Sequence, residues 1–85
     1  VRASETRFEL LVRLAWELRA VPATSLLVVP GNGEAVLWVM GTRGRREAVL
    51  AVLRVDRWLL LWRGTELDPA QMPEAALRIA LGVAA

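Results

Sequence analysis

Residues 45–63, RREAVLAVLRVDRWLLLWR, limit the fold more than any other stretch of the chain. They hold its densest run of β-branched, leucine and tryptophan residues, with arginines at both ends and near Asp56-Arg57. Such residues favour strands, and an apolar run of this length needs a turn within it to form two of them. The reading is a long hairpin turning at Asp56-Arg57. A single helix over 45–62 competes with it, because Arg43, Arg46, Glu47, Arg54 and Arg57 cluster on one side of a helical wheel. The β-branched and aromatic content, and the three leucines between Trp58 and Trp62, favour the hairpin.

The flanks supply two helices and two further strands. Phe8, Leu11, Leu14, Ala15 and Leu18 recur at helical spacing. Glu9, Arg13 and Glu17 form a charge ladder opposite, with Trp16 beside it as a flank-packing residue. Thr6-Arg7-Phe8-Glu9 fits a capping box, with Ser4 as a rival N-cap. Pro22 ends this helix near Ala20. Ser25 to Val29 reads as a strand, Pro30-Gly31-Asn32-Gly33 as a turn, Glu34 to Met40 as a strand, and Gly41-Thr42-Arg43-Gly44 as a four-residue loop. Gly64-Thr65 ends the hairpin. Asp68 and Pro69 open a C-terminal helix, Pro73 restarts it, Glu74 to Leu81 form its regular part, and Gly82 is its C-cap. The whole chain, 1–85, is thus one small α+β domain: a four-stranded antiparallel meander sheet flanked by an N-terminal and a C-terminal helix, α-β-β-β-β-α.

Loop lengths then set the registers. Two residues at 56–57 place Val55 opposite Trp58, Leu53 opposite Leu60 and Ala51 opposite Trp62. Four residues at 41–44 place Met40 opposite Arg45, Trp38 opposite Glu47 and Val36 opposite Val49. One face carries Val36, Trp38, Met40, Val49, Ala51, Leu53, Trp58, Leu60 and Trp62. The other carries Ala35, Leu37, Val39, Ala48, Leu50, Val52, Leu59 and Leu61. Both are apolar, and two helices can cover only one. The aliphatic face is the expected seat of the helices. The tryptophan face is left for a partner, with Trp38, Met40, Leu53, Trp58, Leu60 and Trp62 as its interface residues.

Chemistry is narrowed by what is missing. The 85 residues include no cysteine, histidine, lysine or tyrosine. Disulfides, ordinary zinc sites and Ser-His, Cys-His or lysine nucleophiles therefore cannot be built. Glu47 and Asp56 have arginine neighbours that would hold them ionised and make them poor acids. The expectation is a non-enzymatic chain without cofactor or metal. Gly31-Asn32-Gly33 is a hairpin loop, since no Gly-Lys-Ser/Thr follows it.

The net charge is only +2, but residues 43–63 carry six arginines against two acids. Arg43, Arg45, Arg46, Arg57 and Arg63 are the candidates for binding a nucleic acid or anionic ligand. Arg43-Gly44-Arg45 resembles the core of AT-hook peptides over three residues, without their flanking prolines; the other reading is a polar hairpin tip. Trp58 and Trp62 beside Arg57 and Arg63 read either as a base-stacking platform or as an apolar dimer core rimmed by arginine. The dimer core is preferred, because 55% of the chain is hydrophobic and a domain of this size is short of burial. The expected function is a protein–protein interaction module, such as an adaptor, a chaperone-like protein or a regulatory subunit, with a homodimer preferred and a different protein chain as the other partner for the same face. Glu5, Arg7 and Glu9 stand where the apolar core of a secretory signal would begin, and no apolar run is long enough to span a bilayer. Arginine without lysine fits a GC-rich bacterial genome, and the expected location is cytoplasmic.

Overall fold

The computed structural model describes residues 3–21, 23–29, 31, 34–41 and 43–84. Helix α1 (Ala3–Leu18) leads into strands β1 (Thr24–Val28), β2 (Val36–Met40), β3 (Arg46–Arg54), β4 (Arg57–Trp62) and β5 (Thr65–Leu67). A 3-10 turn (Pro69–Gln71) and helix α2 (Met72–Ala84) follow. The strands form one antiparallel meander in the order β1-β2-β3-β4-β5. The α+β class and the hairpin reading of 45–62 hold, with one strand more than expected. Arg63 and Gly64 supply the reason: with φ of 54° and 73° they form a two-residue turn. Its twist matches that of the flanking strands, so the chain returns along β4. Trp62 then lies opposite Thr65, and Leu60 opposite Leu67.

Both helices depart from the expected ends. α1 begins at Ala3, so Thr6 lies inside the helix and does not open a capping box. Ser4 is also within the helix, and its side chain lies outside the described residues, as do Pro22, Thr42, and Pro30, Asn32 and Gly33 of the expected turn. Leu10, Leu11, Leu14 and Leu18 form the buried stripe, and Phe8 is exposed. After Leu18 the amides of Arg19, Ala20 and Val21 donate three residues back, which tightens and ends the helix. At the other end, the Asp68 carboxylate accepts from the Ala70 amide at 2.9 Å and caps the 3-10 turn. α2 restarts at Met72, with Pro73 in the first turn, where its missing N–H costs nothing. Gly82 is not a C-cap. It lies within α2, and a Cβ there would come within 2.5 Å of the Trp62 ring.

The sheet registers correct the expected faces. Gly41 N donates to Arg45 O and Gly44 N to Gly41 O, and Gly44 has φ 78°. The left-handed glycine closes a three-residue loop in place of the expected four. β2 therefore slips by one: Met40 faces Arg46, Trp38 faces Ala48 and Leu37 faces Val49. A slip of one residue turns every side chain of a strand to the opposite face. The β3–β4 turn is centred on Val55-Asp56, with Arg54 opposite Arg57 and Leu53 opposite Trp58. That shift is by two, so the sides of β3 and β4 are unchanged.

Leu37, Val39, Val49, Ala51, Leu60 and Trp62 consequently share the core with Leu11, Leu14, Leu18, Ile79 and Val83 of the helices. The helices cover the face bearing Trp58 and Trp62, contrary to expectation. α2 reaches the end of β2 so closely that a Cβ on Gly41 would lie 2.3 Å from the Val83 carbonyl oxygen.

Val55 is 94% exposed and has φ 56°. A β-branched residue is strained there, and its side chain gains no burial in return. The V55G variant is expected to be more stable by about 1 kcal/mol, read as a higher urea midpoint at unchanged slope. An unchanged or lower midpoint contradicts the strain.

Candidate interaction surface

With both helices on one side, the other side of the sheet lies open. The registers lay out its rows. Thr24, Met40 and Arg46 form one, and Leu26, Trp38 and Ala48 the next. Val28 with Val36, then Leu50 with Leu61 and Glu66, Val52 with Leu59, and Arg54 with Arg57 complete the face. Val36, Trp38, Met40, Ala48, Leu50, Val52, Leu59 and Leu61 are each half-buried. That is the shielding adjacent side chains give one another on a pleated surface with no layer above. Leu26, on the edge strand, is 56% exposed.

Charge lies at the two ends of this face and at Glu66 on its β5 edge. Arg46 stacks over the Trp38 ring at 5.6 Å. At the far end Arg54 pairs with Glu66, beside Arg57.

Of the expected interface residues, Trp38 and Met40 are on the open face. Leu53, Trp58, Leu60 and Trp62 are on the helix side. Leu60 is 0% exposed and Trp62 8%, so both belong to the core of the chain itself. Trp58 is half-buried beneath the Arg7 guanidinium, 5.4 Å from its ring centre. Leu26, Val28, Val36, Leu50, Val52, Leu59 and Leu61 are the open-face residues that sequence reasoning missed. Gly44, fit for a left-handed loop position, signals the parity of β2 and so joins Val36 and Trp38 to Leu50, Val52, Leu59 and Leu61; nothing in the sequence signals which of the two faces the helices take.

The candidate anion-binding arginines do not form one cluster, although Arg45 and Arg63 meet on Glu47. Arg43, Arg45 and Arg46 lie at the β2–β3 end, and Arg57 lies at the β3–β4 turn. The nine residues of β3 separate the two groups by roughly 26 Å. Arg63 is committed to Glu47: its Nε and Nη2 donate to the two carboxylate oxygens at 2.6 and 2.5 Å. The same Nη2 donates to the Gly82 carbonyl at 3.0 Å, near the C-terminal end of α2.

Glu47 also accepts from Trp62 Nε1 at 2.7 Å and has Arg45 Nε at 3.3 Å. It thus ties β3, the β4–β5 turn and α2 together. The hydrogen bond from Arg63 lowers its pKa most. Burial opposes this, and the Trp62 N–H and the charges of Arg63 and Arg45 add to the lowering. Arg7 makes a similar tie from α1: its Nε donates to Ala51 O at 3.0 Å, just past the point where the β2–β3 ladder ends. Its Nη2 lies 3.4 Å from Glu34.

Two shallow depressions mark the helix side. One is lined by Val12, Arg13, Trp16, Glu17 and Met72. There Trp16 is 66% exposed, with Arg19 stacked 4.7 Å from its ring centre, so it does not pack into the flank as expected. The other is lined mainly by Glu66, Asp68, Gln71, Glu74 and Arg78. Among the described residues no three acidic side chains are grouped to hold a metal ion. No helix there is long and apolar enough to cross a membrane. No protein-family model, curated protein or solved structure matches the chain.

The lowered pKa of Glu47 has a signed consequence. Near the ordinary glutamate range the folded state binds fewer protons than the unfolded state, so stability rises with pH there. Glu47 thus contributes fully above that range, and its contribution disappears as pH falls through its folded pKa. The E47Q variant is expected to lose about 1–2 kcal/mol at neutral pH and to show a flatter acid limb in urea midpoint against pH. Parallel acid limbs for the two proteins contradict this role.

Proposed function

We propose that this chain is a non-enzymatic protein–protein interaction module that self-associates through the open face of its sheet. The observation that carries the reading is the apolar surface of Leu26, Val36, Trp38, Leu50, Val52, Leu59 and Leu61, with charge at its ends and along its β5 edge. An apolar patch of a few hundred Å² rimmed by charge is of the kind that marks an interaction site. Five strands at ~4.8 Å and rows about 20 Å deep give a projected area of roughly 400 Å² per copy. Two facing copies, with side-chain relief included, bury on the order of 1,000 Å², the threshold for a specific interface.

A second copy is the occupant whose shape is complementary without further assumption. Two such sheets pack about 10 Å apart, with the helices outside, as a four-layer sandwich. The lack of histidine, cysteine and lysine supports a binding role over a catalytic one. A cysteine-free chain also suits a cytoplasmic setting.

Solution mass by light scattering at low and high salt is the test. The wild-type chain is expected at a multiple of 9.4 kDa that salt leaves unchanged, and the W38E variant at half that mass or less. A wild-type monomer at both salt concentrations sinks the reading. So does an assembly that W38E leaves intact. Steeply salt-dependent binding of single-stranded DNA by that monomer points to the arginines instead.

A further inference from the structure

We propose that the free edge of β1 is a second, independent self-association site, at which Thr24–Val28 pairs antiparallel with the same strand of another copy. The two edges of the sheet are built differently. β5 is three residues long, carries Glu66 in an ion pair with Arg54, and runs directly into Asp68-Pro69. Short length, charge and a following proline are the usual protections of an edge against pairing with another chain. β1 shares the following proline, Pro30, but is longer and uncharged. It is five residues long, Thr-Ser-Leu-Leu-Val, with no charge, proline or glycine. Among the described residues β2 is its only strand neighbour, so its other side is the free edge of the sheet.

The occupant follows from register and charge. A two-fold axis through Leu26, perpendicular to the sheet, sets Thr24 opposite Val28 of the second copy, Ser25 opposite Leu27, and Leu26 opposite Leu26. It is the one centre that pairs all five residues. It also keeps the open apolar faces of both copies on the same side, because paired residues share a face. No like charges meet, since the strand has none, whereas pairing of β5 with its own copy would set Glu66 against Glu66. The product is a continuous ten-stranded sheet. This pairing does not require the open-face contact. The axis of face packing lies parallel to the sheet, and where it crosses the edge axis the two contacts together close into a tetramer.

The experiment compares the solution masses of the wild type, T24K/V28K and T24E/V28K at low ionic strength. In the first variant each lysine faces a lysine of the second copy; in the other each faces a glutamate. The expected result is a halved mass for T24K/V28K and the wild-type mass for T24E/V28K, whether the wild type begins as two copies or four. Equal masses for all three overturn the proposal. Equally light charged variants overturn it too, because they report intolerance of charge on the face and not pairing at the edge.

Hydrogen exchange of the wild type needs no variant to fold. The β1 amides pointing away from β2 should be protected while the chain is associated and lose protection on dilution to monomer. Fast exchange in the associated state overturns the proposal. The face contact is judged separately: W38E leaves a dimer that still responds to the lysine pair if only the edge holds.

Discussion

The structure depends on a turn. Gly44, with φ 78°, lets the β2–β3 connection close in three residues, and the parity of that number decides which side of β2 meets the helices. With it, Leu37 and Val39 join Val49, Ala51, Leu60 and Trp62 in one face, and that face is large enough to seat α1 and α2. A four-residue loop would turn Leu37 and Val39 outward and bring Trp38 and Met40 inward. Both sides of β2 are apolar, so hydrophobicity alone does not choose between them, and backbone geometry does.

The helix layer is then fastened by close approach and by one carboxylate. Gly41 admits the Val83 carbonyl and Gly82 admits the Trp62 ring, so the C-terminal half of α2 lies nearer the sheet than any side chain at either glycine would allow. Glu47 and Arg63 add direction to that contact. The guanidinium bridges the carboxylate and the Gly82 carbonyl, and the indole N–H of Trp62 is satisfied in the same cluster. In a chain of 85 residues with little core to share among its elements, such a polar tie helps hold one packing arrangement. Arg7 does the corresponding work for α1, satisfying a β3 carbonyl where β2 no longer runs alongside.

The uncovered surfaces follow from the same arrangement. Two helices cannot cover both sides of a five-stranded sheet whose two faces are apolar, and a meander has two free edges. The β5 edge is closed by length and charge, while the open face and β1 are not. That the apolar face and the uncharged edge adjoin along Leu26 and Val28 gives the proposed assembly its geometry.

Much of the fold is legible in the sequence. The leucine spacing of α1, the proline and aspartate at 68–69, and the β-branched run at 45–62 each specify an element through local preference. The excess of apolar residues over available cover, and so the existence of an open face, is also a property of composition and pattern. The identity of that face is not. It turns on whether Gly41 pairs with Arg45 or joins the loop, and on Arg63-Gly64 adopting left-handed conformations although arginine is not a turn residue by preference. Gly82 looks like a helix terminator until the indole packed against it is seen. Local sequence thus determined the helices and the first four strands in order, and tertiary structure decided the fifth strand and the register, because a period-two pattern that is apolar in both phases is equally satisfied by either side until turns and helices choose one.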